Sequence, residues 1–277
     1  MNSRKYLFEF EDLPWFPAIL RESMTDYLRY ILSLTNFYAP ITATLVQAME
    51  KTSSQNIIDL CSGGGGPIEI IKKNIEKESG KKITITLTDK YPNINAYQFI
   101  KEKTNAEINY AARSVDAAGV PQDLTGFRTI FSGFHHFDDR FAKAVLQNAV
   151  DNDAGIGIFD GADKNVLTIL LITLIHPLAF FFLTPFFKPF RLSRILFTYL
   201  IPLIPLLTIW DGIVSITRLR SPEELLQLAE STGRNNYTWK AGKKKNRFGF
   251  QVAYLVGYPP GKNNDRFLPE NQSTGYM

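Results

Sequence analysis

Residues 56–67 read NIIDLCSGGGGP: a short apolar run that ends in four consecutive glycines and meets the amphipathic segment IEIIKKNIEKES. This is a strand, a tight turn and a helix. Glycines in such a turn let backbone N–H groups approach a ligand closely, and the helix N-terminus favours negative charge. The same rhythm continues. KKITITLTD, INYAARSVDA, FRTIFSGFHHF and AGIGIFDG read as strands, with INAYQFIKEKT and DRFAKAVLQNAV as helices between them. YTWKAGKKKNRFGFQVAYLVGYP reads as two strands around a basic turn. Strands alternating with helices predict an α/β domain built on a parallel sheet.

Ahead of this domain, residues 14–50 read as helices. Thr25 is placed to cap one that carries Tyr27, Leu28, Tyr30, Ile31 and Leu34, and a second carries Ile41, Leu45 and Met49. Residues 1–50 are thus expected to form a helical cap. Ser221, Pro222 and Glu224 stand as N-cap, N1 and N3 of a further helix. Residues 261–277 are a polar tail expected to fray. The opening residues have no signal-peptide core, and the chain has one cysteine; both point to the cytoplasm and exclude an intrachain disulfide framework. With one cysteine and three histidines no metal site is expected, and any such site would lean on carboxylates.

Three strand ends suggest a common ligand. Asp59 precedes the glycines, Asp89 ends the next strand, and Asp116 and Ala117 end the third. These residues resemble class I S-adenosylmethionine-dependent methyltransferases, whose first turn is acidic–x–Gly–x–Gly–x–Gly. Asp59 takes the acidic place, Cys61 stands for the first glycine, and Gly63 and Gly65 for the others. The resemblance covers about 55–160 and 221–258 and implies a Rossmann-like seven-stranded sheet with helices on both faces, in a domain expected over 51–165 and 211–260. It also implies S-adenosylmethionine as cofactor, held by Asp59, Cys61, Ser62, Gly63, Gly65, Asp89, Lys90, Asp116 and Ala117. Asp89 would bind the ribose hydroxyls and Asp116 the adenine edge. The opening FEFEDLPWFP…MTDYLRY is similar to a group of uncharacterised bacterial methyltransferases, which names no substrate. A dinucleotide-binding turn fits less well, because Cys61 stands where its motif needs glycine.

Methyl transfer asks the protein to align the groups and exclude water; a base is needed only for a protonated nucleophile. His135 and His136 follow the fourth strand and Asp160 ends the fifth, so all three are candidates at the ligand crevice. Tyr27, Tyr38 and Asp211 are candidates for touching the acceptor, against core packing for the tyrosines and a turn cap for Asp211. Cys61 reads as a small packing residue, not a nucleophile.

The net charge of +4 conceals a division: residues 1–165 hold 18 Lys/Arg against 21 Asp/Glu, and residues 166–277 hold 13 against 6. The second part opens with 22 residues without formal charge, 166–187, then basic KPFRLSR and a 16-residue uncharged run, 195–210. At helical rise the first run reaches about 33 Å, against a bilayer core of about 30 Å. Pro177 and Pro185, and Pro202 and Pro205, predict shorter helical pieces. A spanning hairpin would carry Lys188, Arg191 and Arg194 across the membrane, against the positive-inside tendency. A hairpin in one leaflet keeps them among anionic headgroups, with the basic turn 243–247 adding attraction if it faces the same way. A buried lid or a contact between two copies of the chain is the remaining reading. The expectation is a methyltransferase on the cytoplasmic face of a membrane, anchored through 166–210 and acting on a lipophilic acceptor: a lipid, isoprenoid or quinone-like molecule. A soluble acceptor and a non-catalytic adenosine-ligand sensor are the alternatives. The cations accompany apolar runs, so no nucleic-acid partner is expected.

Overall fold

The computed structural model describes residues 7–260, so the expected polar tail at 261–277 lies outside the described residues. Seven strands form one sheet: β1 Asn56–Asp59, β2 Thr84–Leu87, β3 Ile108–Tyr110, β4 Phe127–Phe131, β5 Ile156–Gly161, β6 Thr238–Lys245 and β7 Gln251–Tyr258. Their order is β3-β2-β1-β4-β5-β7-β6. The first five run parallel, and β7 is antiparallel to both β5 and β6. Successive strand residues point to opposite faces, so Ile57 and Phe159 enter one core while their neighbours Ile58 and Ile158 enter the other. The first core lies under α2 (Thr42–Lys51), α3 (Ile68–Ser79) and α4 (Ile94–Lys103); the second lies under α5 (Asp139–Asp151) and α9 (Pro222–Glu230).

Helix α1 (Ala18–Thr35) begins after Pro17 and ends at Asn36, which takes the left-handed conformation that closes many helices. Thr25 is therefore inside the helix, not at its cap; its hydroxyl donates to the Glu22 carbonyl. The strand expected over FRTIFSGFHHF ends at Phe131, and a single 3-10 turn, Phe134–His136, follows. The Ser221–Glu224 capping box forms as its sequence indicates.

The apolar insertion leaves the sheet after β5 and comprises α6 (Val166–Leu183), the short α7 (Leu192–Ile195) and α8 (Leu203–Arg218). Pro177 lies inside α6 without breaking it, so the first run is one helix and not two pieces. The second run does break, and its halves meet at 81°. Residue 211, expected as the start of the returning domain, lies inside α8. Phe180, Phe187 and Ile204 pack on Phe16, Leu20, Met24 and Tyr27, with Phe180 stacked on Tyr27 at 3.9 Å. The opposite side of α6 is bare: Leu170, Leu174, Leu178 and Phe182, four residues apart in turn, are all exposed. Val166–Phe186 is long and apolar enough to cross a membrane.

The basic link between the two runs is not a free cationic tip. Arg194 is buried and pairs with Asp26 of α1; Arg191 pairs with Glu22 and approaches the same Asp26 at 3.6 Å. Only Lys188 of the three is exposed, and its carbonyl accepts from Arg29. Burial pushes the Asp26 carboxyl up to about 6 against the pull of Arg194, Arg29 and Arg191.

Candidate active site

A cleft of about 480 Å³ opens at the C-terminal ends of β1, β2 and β4, where open α/β sheets bind ligands. Its floor is the glycine turn. Cys61, Gly63, Gly65 and Gly66 all have positive φ, and Cys61 at 56° holds the left-handed conformation that a glycine adopts without strain. A Cβ on Gly64 would lie 2.7 Å from the Thr25 carbonyl oxygen, so the absent side chain is what lets α1 wall the cleft.

Asp59 does not face this cleft. It is buried, and its carboxylate accepts from Ser62 Oγ at 2.7 Å and Thr129 Oγ1 at 2.7 Å, bracing the turn from behind. Burial pushes its carboxyl up to about 7, against those two hydrogen bonds. Asp89 does face the cleft, as do Cys61, Ser62, Gly63 and Lys90. Its Oδ2 accepts from Gly63 N–H at 2.8 Å and its Oδ1 from Tyr91 N–H at 2.7 Å. A carboxylate has about four lone-pair sites, so two remain for ribose hydroxyls, and the site fits an adenosine ligand there. Asp116 and Ala117 are outside the lining. Asp116 is exposed and accepts from Ala118 N–H, and Ala117 is in the core. Their loop is fastened beside the cleft by Val115 N–H, which donates to the Asp89 carbonyl. Burial and the surrounding carboxylates push the Cys61 thiol up, so it stays protonated.

The two histidines divide. His136 lines the cleft; His135 is buried behind it, with Nδ1 3.0 Å from Asp160. Their rings lie 4.4 Å apart. Tyr27 and Tyr38 are core residues and not acceptor contacts. Tyr27 is fully buried against the insertion, and Tyr38 bonds through its hydroxyl to Ser132.

The sequence reading missed the segment 7–12, which straps the cleft to α8. Asp211 does not meet the cleft; from α8 it caps the distant 3-10 turn Phe10–Asp12, its Oδ1 accepting from Phe10 N–H at 2.8 Å and its Oδ2 from Glu11 N–H at 3.1 Å. Trp210 Nε1 donates to the Phe8 carbonyl. Arg218 Nη1 reaches Glu9 and Asp12, each at 2.8 Å, and Ser215 Oγ donates to Glu9 at 2.9 Å. The strap thereby places Glu11 and Asp12 in the cleft wall, with Asp12 2.8 Å from His136 Nδ1. Burial and the Asp211 charge raise the Glu11 carboxyl to about 8. Burial also acts to raise Asp12, but His136 and Arg218 outweigh it and hold that carboxyl at about 2. The only signal for the strap was the alternation of Phe and Glu in FEFED, which does not say what the acids face.

No protein-family model and no curated protein sequence matches the chain, so the bacterial group suggested by the opening residues gains no support from sequence. Solved structures do match. Human N-acetylserotonin methyltransferase in complex with S-adenosylmethionine superposes with a TM-score of 0.52 at 14% identity, over 92% of this chain and 64% of that one. An O-methyltransferase from neocarzinostatin biosynthesis, in complex with S-adenosylmethionine and 2-hydroxy-5-methyl naphthoic acid, gives 0.45 at 12% identity, over 78% of this chain and 52% of that one. The chain thus spans between about half and two thirds of the length of these proteins. The strand order, the antiparallel β7 and the glycine turn after β1 agree with the first of these likenesses: the chain has the class I methyltransferase fold.

Proposed function

We propose that this protein is an S-adenosylmethionine-dependent methyltransferase that works at a membrane surface on a lipophilic acceptor. One observation carries the reading: α8 joins the two halves of the problem. Through Asp211, Ser215 and Arg218 it holds the strap that walls the cleft. Through Leu203, Leu206 and Trp210 it adds to the exposed apolar surface. An acceptor that partitions into a leaflet is thus delivered beside the cleft.

The cofactor supplies a methyl group already activated on sulfur. The chain's residues have the remaining tasks. Asp89 binds the ribose, the 61–66 turn cradles the ligand backbone-first, and Leu28, Leu32 and Phe131 supply an apolar part of the wall. His136 meets the acceptor, while His135 and Asp160 support it from behind. A single-leaflet seat is favoured over a crossing because the link between the runs returns to α1. The basic β6–β7 turn supports the same seat: Gln251 N–H donates to Asp163, at the sheet end from which α6 leaves.

The test is binding of labelled S-adenosylmethionine to wild type and Asp89→Ala, followed by transfer in total lipid extract. Binding should weaken at least tenfold in the variant, and label should partition into organic solvent. Equal affinity refutes the ribose assignment. Label confined to the aqueous phase refutes the lipophilic acceptor.

A further inference from the structure

The strap brings a third ligand to the histidine pair. Glu9, His135 and His136 each present one potential metal-ligand atom, and these atoms all lie within 4.8 Å of one another. We propose that they form a site for a first-row divalent cation, at the wall of the cleft.

Three features distinguish this cluster from a chance meeting of polar groups. Each imidazole is already oriented by a carboxylate through Nδ1: His135 by Asp160 at 3.0 Å and His136 by Asp12 at 2.8 Å. A carboxylate on one ring nitrogen is the outer arrangement of metal-bound histidines, which fixes the ring; His136 Nδ1 also stands 3.4 Å from Glu9 Oε2. Glu9 is likewise fixed before any ion arrives. Arg218 donates to its Oε1 and Ser215 to its Oε2, the oxygen that lies near His136 Nδ1. The formal charge also calls for a cation. Glu9, Asp12 and Asp160 stand beside the pair, and Arg218 pairs with the first two.

The ligand chemistry selects the ion. Two imidazoles and one carboxylate suit zinc, iron or cobalt rather than magnesium or calcium. Three protein ligands leave a coordination position open, as catalytic sites do. His136 and Asp12 line the cleft, so the matching acceptor is one with an oxygen donor, such as a phenol, enol or hydroxyl. The site rests on the cluster's own geometry and stands whether or not S-adenosylmethionine is the cofactor.

The experiment uses the untagged full chain, stripped with chelator and titrated with Co²⁺. Visible d–d bands should saturate at one equivalent and be displaced by Zn²⁺. They should vanish in Glu9→Gln and in His136→Gln and persist in His176→Gln, whose histidine lies outside the cluster. Asp160→Asn should weaken binding by about 10- to 100-fold. Cu²⁺-loaded wild type should show electron-spin coupling to two imidazole nitrogens, a readout that needs no variant to fold. Absent bands in wild type, bands retained in both Glu9→Gln and His136→Gln, or coupling to fewer than two nitrogens overturns the site. Labelled S-adenosylmethionine binding by the chelated protein is scored separately, so the two readings can fail independently.

Discussion

Asp59 shows how a motif residue can matter without touching a ligand. Its carboxyl is buried under the glycine turn and titrates near 7 in the folded protein, against 3.8 as the ordinary value. Between about pH 4 and pH 7 the folded chain keeps a proton that the unfolded chain has lost, so this residue's contribution to stability falls as pH rises. Wild type should therefore lose urea stability between pH 5 and pH 8, and Asp59→Asn should lose less. Parallel slopes would contradict the assignment. Gly64 is a second single-residue case. Its backbone needs no special conformation, yet an added methyl meets the Thr25 carbonyl at 2.7 Å. Gly64→Ala should lower stability by about 1–3 kcal/mol, measured as a shift in denaturation midpoint. The motif pattern placed Asp89 and Gly63 at the cleft, whereas Gly65, expected beside them, turns the chain at positive φ without lining it. It could not separate Asp59 from Asp89: both are strand-end acids, and which one faces the cleft depends on Ser62 and Thr129 claiming the first.

Among the elements, α1 and the insertion are mutually dependent. Asp26 and Arg194 lie 168 residues apart, are both buried, and form an ion pair. Removing one partner of such a pair leaves an uncompensated buried charge, which costs about 3–5 kcal/mol. Asp26→Leu should show a loss of that size in denaturant unfolding. Adding Arg194→Met should recover most of it, since replacing both charges with apolar groups removes the desolvation penalty too. Equal destabilisation in the single and double variants would place the loss elsewhere. Helix boundaries here ran against the sequence signals. Pro177 is tolerated in α6, and α8 continues through Asp211 because the strap gives that carboxylate two N–H donors.

At the scale of the whole molecule, the exposed stripe Leu170, Leu174, Leu178 and Phe182 is the surface that most needs a partner. The membrane reading makes a direct prediction. Wild type should float with anionic vesicles, while Leu174→Glu/Leu178→Glu, changed only at exposed positions, should stay in solution with unaltered unfolding. Flotation by both proteins would place the anchor elsewhere. A wild type that stays behind and sediments at twice the chain mass would make the stripe a contact between two copies.

Periodicity and glycine placement in the sequence determined the α/β architecture and the apolar insertion. These are local signals, written into neighbouring residues by sterics and hydrophobic burial. Tertiary structure alone decided which acids face the cleft. It also turned two of the three basic link residues inward onto Glu22 and Asp26, and brought Glu9 and Asp12 to the histidines more than 120 residues away. Such pairings have no period in the chain. They exist because a buried charge must find a counter-charge or a hydrogen bond wherever the fold places one.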